Sequence, residues 1–362
     1  MILSALGILF VIDAHCGAKS GLNRIFPYDS FFMPMFVFIS GYFFRRDSLS
    51  SLKSLIAFAA KKVRTLLLPY FGWIAFYGLV TAGLTKLGIL NLPLPDYKTL
   101  LNSIAYYGIS FGFNDPAWFI PTLFLVNILY AAVRWLFQKC WNDKIAMPAY
   151  WILGTSAVYS AANGLFGSQI SVLIERLFFF LQFFQLGIIF RKYFESKFDS
   201  ANTAATLLLC IMINAVLLLI YGSGIAFPNC AFMSGFTAIP PFLPFVTSIT
   251  GIAFCLKIAK ALVPIWGDNK LVNFISNNTF FIMTHHLLAK AMANGILWLC
   301  IARGNAAHPL IDLKEIQSNA WYVCPYEYES LASLFMTVLI CLSMCALYNG
   351  VKAKIFKLNQ RA

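Results

Sequence analysis

Long apolar runs separated by short polar stretches dominate the chain. A helix that crosses a bilayer needs about 20 mostly apolar residues, and ten segments approach that pattern: 1–15, 30–44, 65–87, 117–137, 146–164, 172–190, 202–221, 238–256, 272–302 and 331–350. The first is short. The ninth is long and carries polar residues, which predicts a bend or an interfacial start. The stretch 47–63 mixes Ser and Lys with apolar residues and predicts an amphipathic helix lying on the cytoplasmic face. Barrel strands would alternate over segments of about 10 residues, and the runs here are continuous. The pattern therefore predicts an all-α, polytopic membrane protein of about ten transmembrane helices, with residues 1–362 forming one domain.

Composition removes the alternatives. The chain is 60% hydrophobic and 11% charged, with 36 Phe. A soluble domain carries about 25% charged residues, so this chain could not cover a water-facing surface. A soluble enzyme, a disordered chain, a coiled coil and a secreted disulfide scaffold are all excluded for the whole chain. The lipid bilayer is its solvent.

The net charge of +13 is not read as a nucleic-acid footprint, because the basic residues follow the spans. With ten crossings and a cytoplasmic N-terminus, 19 of the 27 Lys and Arg fall in cytoplasmic stretches and 8 elsewhere. That is the positive-inside bias. It predicts a cytoplasmic (inner) membrane protein with both termini in the cytoplasm. Two outer loops, roughly 88–116 and 303–330, follow from the same count. The first apolar run leads straight to His15 without a small-residue cleavage pattern, so no cleaved signal peptide is expected. The nine cysteines are scattered singly, without C-x-x-C or zinc-type spacing, so no metal is expected. An oxidising compartment would allow a Cys230–Cys324 bridge. The pattern is open to assembly as a homo-oligomer.

Ionisable residues inside spans are costly and mark candidate sites. His15 closes the first segment, and His285 and His286 lie in the ninth. His15 suits a general base or a proton relay; an interfacial histidine bonded to a loop is the plain alternative. For His285 and His286 the alternatives are function and helix–helix hydrogen bonding. On a helix they face about 100° apart. Glu175 and Arg176, at the outer end of the sixth segment, read either as an interfacial pair or as a site. Asp13, two positions before His15, does not share its helix face. Arg45, Arg46, Lys61, Lys62 and Arg64 gather at the mouths of the second and third segments. The positive-inside rule accounts for most of them. A grip on a phosphorylated cytosolic donor is the functional alternative. No P-loop or GxGxxG accompanies them.

Several stretches, in order along most of the chain, resemble a known family. They are His15 at the end of the first segment, Phe31-Phe32-Met33-Pro34 through Ser40-Gly41-Tyr42, and Lys61-x-x-Arg64 ahead of Pro69-Tyr70. Trp118-Phe119-Ile120-Pro121, Leu186-Gly187 ahead of Arg191-Lys192, and Thr279 to His285-His286 follow. Together they resemble the acyltransferase-3 family of integral-membrane O-acyltransferases, nearest its sugar and exopolysaccharide O-acetylase branch. The resemblance implies a ten-helix core that moves an acetyl or succinyl group from cytosolic acyl-CoA to a carbohydrate hydroxyl outside the membrane. It makes His15 the essential first-helix histidine, Lys61 and Arg64 the basic pair, and Ser40-Gly41 the second-helix signature. One departure stands out. The family carries Arg or Lys about ten residues before the histidine, where this chain reads Ile2-Leu3-Ser4-Ala5-Leu6.

The candidate sites follow. His15, with His285 and His286, is the catalytic set. Lys61, Arg64, Arg45 and Arg46 would hold the donor acyl-CoA. Ser40, Trp118 and Arg176 would meet the carbohydrate acceptor, with Trp118 and Trp321 offering indoles to sugar rings. A glycan transporter or flippase is the rival reading. Many transporters carry inverted repeats, and no such symmetry is visible here.

Overall fold

The computed structural model describes residues 1–17, 21–45, 49–165, 168–225, 240–304, 312–325 and 327–359. Among them there is no strand; helices carry the whole architecture. The long ones are α1 (Ile2–His15), α2 (Tyr28–Tyr42), α3 (Leu52–Lys86), α4 (Phe119–Leu136), α5 (Asp143–Ala162), α6 (Gln169–Ser200), α7 (Thr203–Tyr221), α8 (Leu243–Ala261), α9 (Thr279–Gly304) and α10 (Glu327–Asn359). Each of the ten apolar segments carries one of them. Among the described residues, six helical stretches are long and apolar enough to cross a membrane: α3, α4 with the turns before it, α6, α7, α8 and most of α10. The others fall short for visible reasons. α1 and α2 have 14 and 15 residues. α5 opens on Asp143-Lys144, and α9 carries His285, His286, Lys290 and Asn294.

Of the stretch 47–63, expected to form an amphipathic helix, Leu52–Lys62 is helical and runs on as the first part of α3. Ser51 caps it in a capping box with Ser54, and nothing in Leu52–Lys62 breaks the helix. Pro69 has no N–H to give the carbonyl four residues back. The chain widens there into a π turn, Val63–Leu67, with the Leu68 N–H on the Val63 carbonyl. The helix then continues to Lys86. Its 35 residues span roughly 52 Å at ~1.5 Å per residue, longer than the ~30 Å hydrocarbon core.

The helices run back and forth between two faces. At one face the Tyr42 hydroxyl, ending α2, donates to Glu195 on α6. Lys260, ending α8, bridges Glu195 at 2.8 Å and Asp199 at 2.7 Å, and Lys192 pairs with Asp143 at 2.9 Å. This is the basic face. At the opposite face α1 ends on His15 and α4 begins at Trp118. There the two predicted outer loops meet: the Asn91 N–H donates to the Gln317 carbonyl at 2.8 Å.

Close packing of α2 on α6 holds the centre. A Cβ on Gly41 would overlap the Phe184 carbonyl oxygen, and one on Gly187 would overlap the Phe38 carbonyl. Only glycine lets these two backbones approach so closely. Phe179, Phe180, Phe183 and Phe184 of α6 are fully buried around this crossing. Outward, Leu79, Leu219, Phe335 and Leu347 are largely exposed, as expected of helices whose solvent is lipid. Some polar groups inside the bundle find partners on neighbouring helices. Asn214 Nδ2 donates to Thr250 at 2.6 Å, and the Ser248 hydroxyl donates to the Ser30 carbonyl at 2.6 Å.

Candidate functional site

The last turn of α1 carries the site. His15 is half-buried and lines a cavity of about 380 Å³ at the histidine face, with Phe32 and Met33 from α2, Trp118 ahead of α4, and Trp321 and Val323 from the segment between α9 and α10. Asp29 and Asp115 complete the wall. The Trp321 indole N–H donates to Asp115 Oδ2 at 3.2 Å, which fixes its ring centre 5.1 Å from that of His15.

Behind His15 stands α9. His286 Nε2 lies 3.1 Å from His15 Nδ1, and His286 is wholly buried. The tautomers follow from the neighbours rather than from visible protons. His15 Nδ1 is 2.7 Å from the Val11 carbonyl, and His286 Nδ1 is 3.1 Å from the Ile282 carbonyl. A carbonyl only accepts, so both Nδ1 atoms carry the proton. The His15 Nδ1–H is then shared between the Val11 oxygen and the His286 Nε2 lone pair. That leaves His15 Nε2 unprotonated, on the one ring of the three that lines the cavity. Lys290, one turn on from His286 and also buried, donates to the His15 carbonyl at 3.0 Å. It holds the open C-terminal end of α1, where a cation is favoured.

His285 goes elsewhere. Its Nδ1 is 2.7 Å from the Tyr77 hydroxyl of α3, and Trp73, Phe76, Phe281 and Tyr77 surround its ring. It is buried and does not reach the His15 cavity, so of the two α9 histidines the structure brings only His286 to His15.

The other expected residues separate too. Trp118 lines the cavity. Arg176 is buried behind it, its guanidinium 4.8 Å from the Trp118 ring and donating to the Tyr107 carbonyl at 3.0 Å. Glu175 and Arg176 are not a pair: Glu175 accepts from Ser160 on α5. Ser40 lies on α2 about 16 Å along the axis from Asp29, taking ~1.5 Å per residue, in the half toward the basic face. Beside it the Gly41–Gly187 crossing gives the second-helix signature a packing role. Lys61, Arg64 and Arg45 are exposed on the basic face. Arg46 and Cys230 lie outside the described residues. That face has its own cavity, about 440 Å³, between the start of α1, the end of α2 and the end of α8, with Tyr42, Lys260 and Asp268 in its wall. Along α1 the nearest wall residues of the two cavities, Ser4 and Val11, are about 10 Å apart at ~1.5 Å per residue.

Sequence reasoning passed over Tyr77 and Asp29. Tyr77 gives no signal inside an aromatic-rich span. Asp29 has one, an acid at the mouth of the second span.

No curated protein and no solved structure matches the chain. The family described as "acyltransferase domain" matches residues 3–300 of the 362. That match takes in α1 through nearly all of α9, and with it His15, the α2–α6 crossing and His286: the chain belongs to the acyltransferase-3 family of membrane acyltransferases.

Proposed function

We propose that this acyltransferase moves an acetyl or succinyl group from cytosolic acyl-CoA to a hydroxyl of a cell-surface or exported carbohydrate, with His15 as the general base. The observation that carries the reading is the half-buried His15 whose Nδ1–H is held by Val11 and His286, leaving Nε2 as a lone pair on a ring that lines the outer cavity.

The chemistry follows from that atom. Nε2 takes the hydroxyl proton as the oxygen attacks the thioester carbonyl. The tetrahedral intermediate collapses with cleavage of the C–S bond, and the thiolate of CoA leaves and is protonated. The imidazolium formed at His15 is supported through Nδ1–H by the His286 lone pair and the Val11 carbonyl, much as a carboxylate supports a catalytic histidine. Trp118 and Trp321 offer indoles to the acceptor ring. Lys61, Arg64 and Arg45 sit where phosphates of a cytosolic donor would meet them. The donor's thioester end would travel the length of α1 to meet the base.

In the same reading the chain makes ten crossings of the cytoplasmic membrane, with both termini inside and the basic face cytoplasmic. The ion-paired lysines and the exposed Lys61 and Arg64 on that face support this orientation.

The test is chemical. Surface and exported glycans are compared between cells with the active chain and cells without it, and purified protein in lipid nanodiscs is given isotope-labelled acetyl-CoA and the glycan fraction. Acylated sugar that appears only with the protein supports the reading. Unaltered glycans in both experiments would remove it and bring the transporter reading forward.

A further inference from the structure

We propose that Lys290 and Ser330 are positioning residues for acyl transfer, fixing the His15 imidazole in its cavity through the carbonyls of His15 and Cys16. The proposal rests on the reading that His15 is the base.

His15 is the last residue of α1. A helix leaves its final carbonyls without partners inside the helix, and fraying ends are where local opening costs least. A base placed there moves with the fraying unless other elements hold it. The carbonyls of this last turn are taken one by one. The Cys16 N–H donates to those of Ile12 and Asp13, at 3.0 Å each. The Gly17 N–H, in left-handed backbone, donates to that of Ala14 at 3.3 Å. The next two receive side chains from two other helices. Lys290 Nζ of α9 donates to the His15 carbonyl at 3.0 Å, and the Ser330 hydroxyl of α10 donates to the Cys16 carbonyl at 2.8 Å.

The ring is held from the same side. His286, which receives the His15 Nδ1–H, is one helical turn before Lys290, so the two share a face of α9. That face grips His15 at both imidazole and backbone. One turn further along it, Asn294 Oδ1 accepts from the Ser333 hydroxyl at 2.5 Å, which ties α9 to α10. Lys290 and Ser330 are 1% and 0% exposed, and neither lines the cavity, so they act through His15. A lysine within a span is costly. Joining helices needs only neutral groups, such as Asn214 and Thr250 elsewhere in the bundle. The gain that sets Lys290 apart is precision: a reacting group displaced by ~1 Å can lose ~100-fold in rate.

Full-length Lys290→Met and Ser330→Ala proteins in nanodiscs are compared with the unaltered chain, using labelled acetyl-CoA and the glycan fraction of the cells. Turnover, both KM values and thermal unfolding are measured. Lys290→Met keeps the length of the side chain and loses its donors. It should lower turnover ~10- to 100-fold, with both KM values within about threefold. Ser330→Ala should lower turnover several-fold. The distinguishing readout is a cycle with His15→Ala. Residues that act through the base have nothing to act on once it is gone, so Lys290→Met should slow His15→Ala by less than about twofold. Near-normal turnover in Lys290→Met overturns the proposal. Losses that multiply in full in the double variant overturn it as well, and leave Lys290 a strut of the bundle. If Lys290→Met does not insert and fold, Ser330→Ala decides by the same two criteria. Near-normal transfer by His15→Ala removes the base reading and the proposal together. A slow His15→Ala beside a normal Lys290→Met removes the proposal alone.

Discussion

Two adjacent histidines on one helix lead different lives. His286 faces α1 and meets His15 across 271 positions of sequence, with a cavity beyond it. His285, about 100° around the same helix, faces α3 and is enclosed by Trp73, Phe76, Tyr77 and Phe281. Both are buried, and both make a contact with another helix. The difference is what lies past the partner. Past Tyr77 there is aromatic packing; past His15 there is space for a substrate. Burial of an ionisable group in a span thus marks two roles, and only access to a cavity separates them.

The comparison can be broken at several points. The largest effect belongs to His15→Ala, expected to lower acyl transfer by ~100- to 10,000-fold, the usual range for a lost general base. Folding should survive, because the residue closes a helix rather than filling its core. Added imidazole should recover part of the rate by entering the vacated space. A full loss that imidazole does not touch, with correct insertion, would point to a structural histidine.

On the His286 side, His286→Phe removes the lone pair that receives the His15 proton but leaves the Val11 carbonyl. One hydrogen bond is worth ~0.5–1.5 kcal/mol net, so the turnover rate should fall about tenfold with little change in the KM for acceptor. A change confined to KM would separate His286 from the proton path. On the basic face, the double change Lys61→Ala, Arg64→Ala removes two exposed charges. Such contacts are each worth up to ~1 kcal/mol, so the KM for acyl-CoA should rise about tenfold while turnover holds. Insertion is checked by protease protection, since these charges also serve topology. Unchanged donor affinity would return both residues to the topogenic role.

The smallest effect on chemistry belongs to Tyr77→Phe. It strips His285 Nδ1 of its partner and should cost ~1–3 kcal/mol of stability as a buried group left unpaired. Thermal unfolding in detergent should register that loss, and turnover at low temperature should stay within about threefold. A collapse of turnover with unchanged stability would move His285 into the active site.

How much of this was legible in the sequence depended on whether the bilayer or a distant contact wrote it. The apolar runs were plain, because lipid demands apolar side chains over a helix-length window. The continuous α3 was not, because the Ser–Lys mixture of 47–63 reads as a surface helix and the apolar run starts only at 65, whereas a π turn ahead of Pro69 joins the two. His15 stood out by its scarcity, one of four histidines. Its pairing with His286 rather than His285 could not be read, since it depends on how α9 is rotated against α1. Glu175 and Arg176 looked like a pair because they are neighbours in sequence, yet on a helix neighbours point apart, and each found its partner on another element. Trp321 and Asp115 lie in different loops, and only the contact between those loops brings them to the cavity.

The central claim is that His15 takes the proton and that His285 does not. It is tested most directly by measuring single-turnover acyl transfer for His15→Asn and His285→Asn side by side, in nanodiscs, at neutral pH and matched amounts of inserted protein. Asparagine keeps a hydrogen bond but cannot accept a proton at that pH. The account predicts a loss of at least ~100-fold for His15→Asn and a rate near that of the unaltered protein for His285→Asn. Near-normal transfer by His15→Asn, or equal losses in the two variants, would contradict it.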